Sequence, residues 1–306
     1  MKKTVSLILS LTFVFTILAG CTGDTSSAEK SLTPVTVVED GETRYGFNPH
    51  VYSGIYDDNF DDKTRETFFG FCDAVLAGEE EFSCSDEIMY FNIVNTISHN
   101  CMPLATYFVC DTDDPVSHGV GRIEYSIPRD EYLQKVSEFK EAVTDILNDV
   151  FAYGMTEEER AKALYSYFET NYTYDYDAVG ITNDTDLSPY RLLTERKGIC
   201  QEIAPLYAYL LLQTGMDCTT CGALNGANES HEWVVAKIDG EYYHIDPTFV
   251  ITDQGTWKYF GMTDDKRYEE GGWLKAYFNY GEANIFDSRG DYACTSTRFE
   301  TLWNQM

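Results

Sequence analysis

Three residues, Cys200, His231 and Asp246, have the types and the chain order of a nucleophile, a base and an orienting acid. A thiol needs a neighbouring imidazole to become a thiolate at neutral pH, and an imidazole needs a carboxylate to fix its tautomer. Each residue also has a structural interpretation: a small core cysteine, a packed or surface histidine, and an aspartate that opens a turn before Pro247. The sequence around the three favours the catalytic interpretation.

Cys200 is predicted to lie in the first turn of a buried helix. Residues 200–214 are strongly apolar, Gly198 permits a tight turn before them and Gly215 ends them. At such a position the unpaired N–H groups favour a thiolate, and the Cys200 N–H can point at a developing oxyanion. The helix dipole contributes only about 0.3 to 1 kcal/mol, so an imidazolium partner must supply the rest. Pro205 removes an early hydrogen bond and can bend this helix.

The dipeptide Asp239-Gly240 is a strong hairpin signal between two segments with strand character. A two-residue turn there pairs Ile238 with Glu241. Counting outward from that pair, Trp233 lies opposite Asp246. The hairpin therefore fixes which residues of the two strands are neighbours.

His231 lies two residues before Trp233 and shares its face of the sheet, because side chains alternate along a strand. Asp246 lies on the same face, so His231 and Asp246 are diagonal neighbours whose side chains can reach a hydrogen bond. His244 is a competing imidazole, but it is less well placed to reach Cys200. We therefore rank it second.

The motif blocks around these residues resemble those of the transglutaminase-like superfamily. The blocks are Gly198-Ile199-Cys200-Gln201, His231-Glu232-Trp233, Tyr243-His244-Ile245-Asp246-Pro247-Thr248-Phe249 and Trp257-Lys258-Tyr259-Phe260-Gly261-Met262-Thr263-Asp264. The resemblance covers about residues 129–265. It implies a papain-like α+β fold, with a nucleophile helix packed on an antiparallel sheet. It also implies a Cys200-His231-Asp246 triad for acyl transfer, without deciding between crosslinking and hydrolysis.

The resemblance also implies a side-chain oxyanion donor from the segment before the cysteine. Tyr174 and Tyr176 are the candidates, with ordinary packing as the alternative. The sequence departs from the bacterial pattern at Val234, where Asn is common, and at Phe249, where Trp is common. Neither position belongs to the triad.

Residues 1–20 have the layout of a secretory signal peptide, with Lys2 and Lys3 before an apolar run. The sequence Leu18-Ala19-Gly20-Cys21 resembles the lipobox of bacterial lipoproteins. We therefore expect Cys21 to be acylated and to anchor the protein at the extracytoplasmic face of the cell membrane. A plain signal peptide or an uncut anchor is the alternative. Residues 21–45 are poor in large apolar side chains and are predicted to be a flexible tether.

The chain is strongly acidic. Its formal net charge is −29 over 306 residues, and without the leader 20 basic side chains stand against 51 acidic ones, a net charge of −31. Such a surface repels nucleic acid and anionic lipid, which excludes nucleic-acid binding as the function. The sequence implies no metal and no organic cofactor.

Beyond the tether, the sequence divides into an N-terminal region at residues 46–128 and a transglutaminase-like domain at 129–306. The N-terminal region is predicted to hold helices near 61–77 and 85–97 and strands near 104–109 and 122–127. It can be a separate small domain or an elaboration of the next one. The second part begins with a helix at 129–151 and a further helix that starts with a capping box.

Seven cysteines remain after Cys21 and Cys200 are set aside. In an extracytoplasmic protein, Cys72 with Cys84 or Cys101 with Cys110 can form disulfides, although the sequence does not give the pairing. Buried free thiols are the competing expectation.

The most specific function that these observations predict is cysteine-dependent acyl transfer on peptide or carboxamide bonds of surface proteins or cell-wall peptides. The alternative from another class is a surface-anchored binding or scaffolding protein without turnover. In that case aromatic residues late in the chain line a groove, whereas core packing is their other interpretation. These residues are Trp273, Tyr277, Phe278 and Tyr280.

Overall fold

The computed structural model describes residues 32–180, 187–227, 229–253, 255–280, 284–286 and 290–303. The predicted signal peptide and Cys21 lie outside the described residues. Within the described ranges, no helix combines the length and the hydropathy that a membrane crossing requires.

A β-hairpin forms the C-terminal end of the predicted tether. Strand β1 (Thr36–Glu39) pairs with β2 (Glu42–Tyr45), and Asp40 and Gly41 turn between them with φ angles of 52° and 84°. Positive φ at both central positions matches the twist of the flanking strands. The prediction of a flexible tether is therefore wrong for residues 36–45. It rested on composition, whereas the Asp40-Gly41 turn allows these residues to form a hairpin.

Two helical segments open the N-terminal region. Helix α1 (Asp62–Ala77) begins at Asp61, whose carboxylate accepts the Thr64 N–H at 2.8 Å, and it ends at Gly78 with a φ of 63°. Both features are ordinary caps. After β3 (Glu81–Ser83), the second segment consists of α2 (Glu87–Phe91), a π-helical turn (Asn92–Ile97) and α3 (Ser98–Cys101).

The strand predicted near residues 104–109 is a helix, α4 (Pro103–Phe108). Pro103 occupies the first turn, where its missing N–H is not needed. Only Val109–Cys110 is extended, as β4. Three short strands follow: β5 (Val116–Ser117), β6 (Val120–Arg122) and β7 (Glu124–Tyr125).

Both helices predicted after residue 128 are confirmed, as α5 (Arg129–Val150) and α6 (Glu157–Asn171). The capping box of α6 is complete, since the Thr156 hydroxyl accepts the Glu159 N–H at 3.2 Å and the Glu159 carboxylate accepts the Thr156 N–H at 2.8 Å. The chain continues through β8 (Thr173–Tyr174), α7 (Pro189–Glu195) and β9 (Lys197–Gly198), with β8 and β9 paired in parallel.

Helix α8 (Cys200–Gln213) begins at Cys200, as predicted. Its residues from Glu202 to Gln213 are all buried, so it is a core helix. Pro205 lies inside the helix and does not end it.

An antiparallel five-stranded sheet follows α8. Its strands are β10 (Cys218–Asn225), β11 (Ser230–Ile238), β12 (Glu241–Ile245), β13 (Phe260–Met262) and β14 (Trp273–Phe278). They lie in the order β13-β12-β11-β10-β14. Helix α9 (Pro247–Thr252) follows β12, α10 (Asp264–Gly271) follows β13 and α11 (Glu300–Trp303) comes last.

The predicted hairpin register is confirmed. Ile238 pairs with Glu241 and, outward along the ladder, Val234 pairs with Ile245. Asp239 and Gly240 have φ angles of 51° and 90°, so both turn residues adopt the left-handed region. The pairing brings the start of β11 to the end of β12.

The sheet separates two apolar layers. Val234 and Ala236 pack on the side of α8, whereas Trp233 and Val235 pack with Trp273 and other residues of the opposite layer. A nucleophile helix on an antiparallel sheet is the predicted α+β arrangement, which is confirmed. The groove interpretation of Trp273 is wrong, because its side chain is only 6% exposed and packs in this layer. Phe278 packs in the same layer and, with Tyr280, also lines a cavity.

The N-terminal region and the sheet share one hydrophobic cluster. Polar contacts also join this region to α8 and to the sheet: the Gln213 side chain hydrogen-bonds the backbone of Asn48 at 2.8 and 2.9 Å, and Asn100 donates to Thr219 at 3.0 Å. These contacts favour the interpretation of residues 46–128 as an elaboration of the second part.

All eight cysteines in the described part of the chain are free thiols, so neither suggested disulfide forms. Cys72 and Cys101 are buried in the core, where burial raises the pKa of both thiols. The competing expectation of buried free thiols is the correct one for these two.

Candidate active site

The backbone before Cys200 is held by a glutamate of the same helix. No side chain of Ile199 caps α8, but the Glu202 carboxylate accepts the Ile199 N–H at 3.0 Å. A Cβ on Gly198 would lie 2.9 Å from a Glu202 oxygen, so only glycine allows this close approach. Cys200 itself is half-buried at the first position of α8.

Glu202 is fully buried and forms an ion pair with Arg191 of α7. The Arg191 Nε and Nη2 atoms lie 2.8 and 2.5 Å from its two oxygens, and the Ser188 N–H donates to it at 3.0 Å. Arg191 also reaches Asp175 at 3.1 Å. A buried carboxylate needs such partners, since an unpaired charge is costly. The pair ties α7 and the turn before Cys200 to the start of α8.

His231 and Asp246 are joined as the hairpin register predicts. The His231 Nε2 atom lies 2.6 Å from Asp246 Oδ2, and the carboxylate is fully buried. This bond leaves Nδ1 as the ring nitrogen available to Cys200, whose thiol lies close enough to interact with the imidazole. The structure thus brings the three residues together.

Arg267 of α10 is a further partner of Asp246, at 2.7 Å from Oδ2. The side chain is 1% exposed, and its guanidinium lies 4.3 Å from the centre of the Trp233 ring and 5.0 Å from that of Trp273. Aromatic faces stabilise a buried cation. The Thr248 N–H donates to the other Asp246 oxygen at 3.1 Å.

The charges of this group set its pKa values. Burial opposes the charge on His231 and by itself would lower its pKa. The Asp246 carboxylate and Cys200 together outweigh this effect and raise the pKa of His231 to about 9. Burial likewise opposes ionisation of Asp246, but His231 and Arg267 outweigh it and lower the pKa of that carboxyl. His231 is therefore an imidazolium and Asp246 a carboxylate at neutral pH.

Aromatic rings fix the plane of the His231 imidazole. Trp273 stacks on it with ring centres 5.8 Å apart and 12° between planes, and Trp233 lies at 5.9 Å and 26°. Phe249, one of the two departures from the bacterial pattern, lies 5.6 Å from the same ring. Val234, the other departure, is a buried core residue.

His244, the second-ranked imidazole, supports Trp233. Its Nδ1 accepts the Trp233 indole N–H at 2.9 Å, so Nε2 carries the proton and donates to Asp264 at 2.9 Å. Burial lowers the pKa of His244. The ligand atoms of His244, Asp264 and Cys294 lie within 4.8 Å of one another, but the His244 nitrogens are already used in these bonds.

The two tyrosine candidates differ in position. The Tyr174 hydroxyl is half-buried beside Cys200 and within hydrogen-bond reach of the Cys200 backbone N–H, and burial together with Cys200 raises the pKa of Tyr174 to about 12. Tyr176 is 70% exposed and packs its ring against Tyr174, with centres 4.9 Å apart. The pairing of β8 with β9 puts Tyr174 next to the nucleophile turn, because Tyr174 lies opposite Gly198.

Two residues of the site were missed from the sequence. The sequence offered a reason to select Glu202, since it is the one charged residue in an otherwise apolar helix and stands at the N3 position. The sequence offered no reason to select Arg267, because it lies in the charged segment Asp264–Gly271, whose composition is typical of a solvated helix.

A family comparison bears on this geometry. Residues 144–247 match the family model described as the transglutaminase-like superfamily. This part of the chain is thus similar to the transglutaminase-like superfamily. The match includes Cys200, His231 and Asp246, and it ends before Arg267. Together with the contacts among these three residues, the match supports a cysteine-dependent enzyme.

Solved structures that are similar to parts of the chain include a TGase, the periplasmic domain of TgpA and LapG. A TGase is 14% identical over 40% of this chain and 34% of its own, with a TM-score of 0.31. The periplasmic domain of TgpA from Pseudomonas aeruginosa is 19% identical over 32% of this chain and 39% of its own, with a TM-score of 0.27. LapG of Legionella pneumophila is 16% identical over 40% of this chain and 67% of its own, with a TM-score of 0.27. The chain thus spans only about a third of the TGase. A comparison with curated proteins gives no match.

Proposed function

We propose that the protein is a cysteine acyltransferase or hydrolase that acts on peptide or carboxamide bonds through Cys200, His231 and Asp246. One observation carries the proposal: His231 stands between the thiol and a buried carboxylate, with its pKa raised to about 9. An imidazolium beside the thiol favours the thiolate, which is the nucleophilic form.

In the first half-reaction, the Cys200 thiolate attacks the carbonyl carbon and forms a carbon–sulfur bond, while the carbonyl oxygen takes the negative charge. The Cys200 backbone N–H and the Tyr174 hydroxyl meet beside the thiol and stabilise that oxyanion. The carbon–nitrogen bond then breaks, and the departing amine takes the His231 proton. A thioester on Cys200 remains.

In the second half-reaction, neutral His231 accepts a proton from water or from an amine, which attacks the thioester carbon. The carbon–sulfur bond breaks and the Cys200 thiolate is restored. Water gives hydrolysis and an amine gives a crosslink. Asp246 keeps the imidazole in position and stabilises its charge throughout.

The predicted leader supports an extracytoplasmic, lipid-anchored location, with Cys21 as the acylated residue. Metabolic labelling with an alkyne fatty acid should mark the natural protein in membranes and leave a Cys21→Ser variant unmarked. Equal labelling of both would contradict the anchor. At that location the available substrates are surface proteins and cell-wall peptides.

The direct test of the reaction is capture of the thioester. The full-length protein is incubated with cell-envelope extract, quenched in acid and digested, and the Cys200 peptide is weighed by mass spectrometry. We expect an adduct that hydroxylamine releases and that a His231→Ala variant does not form. A Cys200 peptide that stays unmodified in the natural protein would favour the non-catalytic scaffolding alternative.

A further inference from the structure

A large cavity lies between the N-terminal region and the transglutaminase-like core. Its volume is about 1070 Å³. One wall comes from residues 94–111 and the other includes Leu187, Pro189, Gln201 and Glu232. This volume is at the upper end of the range for sites that hold drug-sized ligands, so the cavity has room for several side chains.

The cavity is lined by the chain neighbours of the proposed nucleophile and base. Gln201 directly follows Cys200 in α8, and Glu232 directly follows His231 in β11. Because side chains alternate along a strand, Glu232 faces the α8 side of the sheet. There its carboxylate meets His99 of the N-terminal region, with Oε1 2.8 Å from Nε2. A molecule in the cavity therefore contacts the residues that directly follow the proposed nucleophile and base, and it touches both parts of the protein.

The charged groups in the lining are mainly acidic. Asp111 and Glu232 are the carboxylates, and no lysine or arginine is found among the described lining residues. His99 pairs with Glu232, so the lining carries a net negative charge whether His99 is neutral or protonated. Charge complementarity favours a cation and disfavours an anionic group.

The rest of the wall is largely apolar and supplies surface for side chains of a peptide. Tyr107, Val109 and Ile127 are half-buried, and Phe108 is buried behind them. Apolar walls with a few placed polar groups are typical of substrate sites. The combination matches a peptide with one apolar and one basic side chain.

We propose that this cavity binds the acyl substrate as a peptide segment that carries a lysine-type or arginine-type side chain near the bond to be broken, recognised by Asp111 and Glu232. The inference rests on the proposed function, since it names the substrate class of the same site. It also gives the N-terminal region a role in specificity.

The test uses thiol-directed peptide probes on the full chain. Three chloromethyl ketones, Ac-Lys-Leu-Gly, Ac-Nle-Leu-Gly and Ac-Glu-Leu-Gly, differ only in their first side chain, which is cationic, neutral or anionic. Iodoacetamide reports the reactivity of Cys200 without using the cavity. We expect Cys200 to react with the lysyl probe about fivefold faster than with the glutamyl probe, which corresponds to about one exposed ion pair. An Asp111→Asn variant should lose most of this preference.

Asp113→Asn is the matched control, because Asp113 is exposed nearby and does not line the cavity. It should keep the preference. Equal rates for the lysyl and glutamyl probes, with fast iodoacetamide labelling, would overturn the substrate inference and leave the proposed function intact. Slow labelling of Cys200 by every reagent would instead overturn the proposed function, and the inference with it.

Discussion

The two halves of the site are each built on a buried carboxylate and an arginine, yet the two pairs do different things. On the nucleophile side, Glu202 pairs with Arg191 and accepts backbone N–H groups. On the base side, Asp246 pairs with Arg267 and accepts the His231 imidazole. The first pair positions a backbone turn, whereas the second sets the charge of a reacting group.

This contrast teaches that burial and an arginine partner do not by themselves identify a catalytic carboxylate. Both carboxylates are fully buried, and removing either leaves its arginine with fewer partners. The two carboxylates differ in what they bind besides arginine. Glu202 accepts backbone N–H groups, whereas Asp246 accepts the His231 imidazole. Loss of either should lower stability, but only loss of Asp246 should change the protonation of His231.

The largest expected effect follows from Asp246→Asn. Without the carboxylate, burial dominates and the pKa of His231 falls below its ordinary value, so the imidazolium is lost at neutral pH. Acylation of Cys200 by p-nitrophenyl acetate at pH 7 should slow on the order of 10³- to 10⁴-fold. If acylation of Cys200 in the variant still falls off only near pH 9, Asp246 does not control the pKa of His231.

Glu202→Gln is the matched change on the nucleophile side. The free energy of unfolding should fall by about 3 kcal/mol, because Arg191 keeps only its contacts to acidic neighbours such as Asp175. Urea unfolding measures this loss. The pH profile of the remaining acylation should match that of the natural protein, and a shifted profile would erase the distinction between the two pairs.

The raised pKa of His231 also makes stability depend on pH. The imidazolium contributes stability that is fully present below about pH 6.5 and is lost as the pH rises through about 9. Its contribution is on the order of 3 kcal/mol. Urea unfolding at pH 6 and pH 9.5 should show this loss in the natural protein and not in His231→Gln. An equal loss in both proteins would place the titrating group elsewhere.

Tyr174→Phe is expected to have the smallest of these effects. It removes one of two oxyanion donors and should slow acylation of Cys200 about 10²-fold, with unchanged iodoacetamide labelling. Tyr176→Phe is the control, because Tyr176 is mostly exposed, and it should react like the natural protein. Equal rates for both variants would leave the backbone N–H as the donor.

The contrast between the two pairs also shows what a sequence can predict. The Asp239-Gly240 turn determines a register, and the register alone predicts that His231 and Asp246 meet. Arg267 lies 21 residues from Asp246, in a helix whose composition is typical of a solvated surface, so no local pattern connects them. Contacts that depend on how distant elements pack cannot be predicted from local sequence pattern.

The N-terminal region shows the same limit. Its helix α1 follows from periodicity and caps, but the stretch from Pro103 to Phe108 has apolar spacing too short to separate strand from helix. The pairing of His99 with Glu232 joins residues 133 positions apart. The cavity that they border was therefore not predictable from local pattern.

The central claim is that His231 activates Cys200, and the rate of Cys200 alkylation by iodoacetamide at pH 6 tests it most directly. Peptide mapping follows Cys200 and, as an internal reference, the exposed thiol of Cys110 in the same sample. An ordinary thiol is almost wholly protonated at this pH, so Cys200 should react about 10²-fold faster than in a His231→Ala variant. Equal rates in the two proteins would contradict the account.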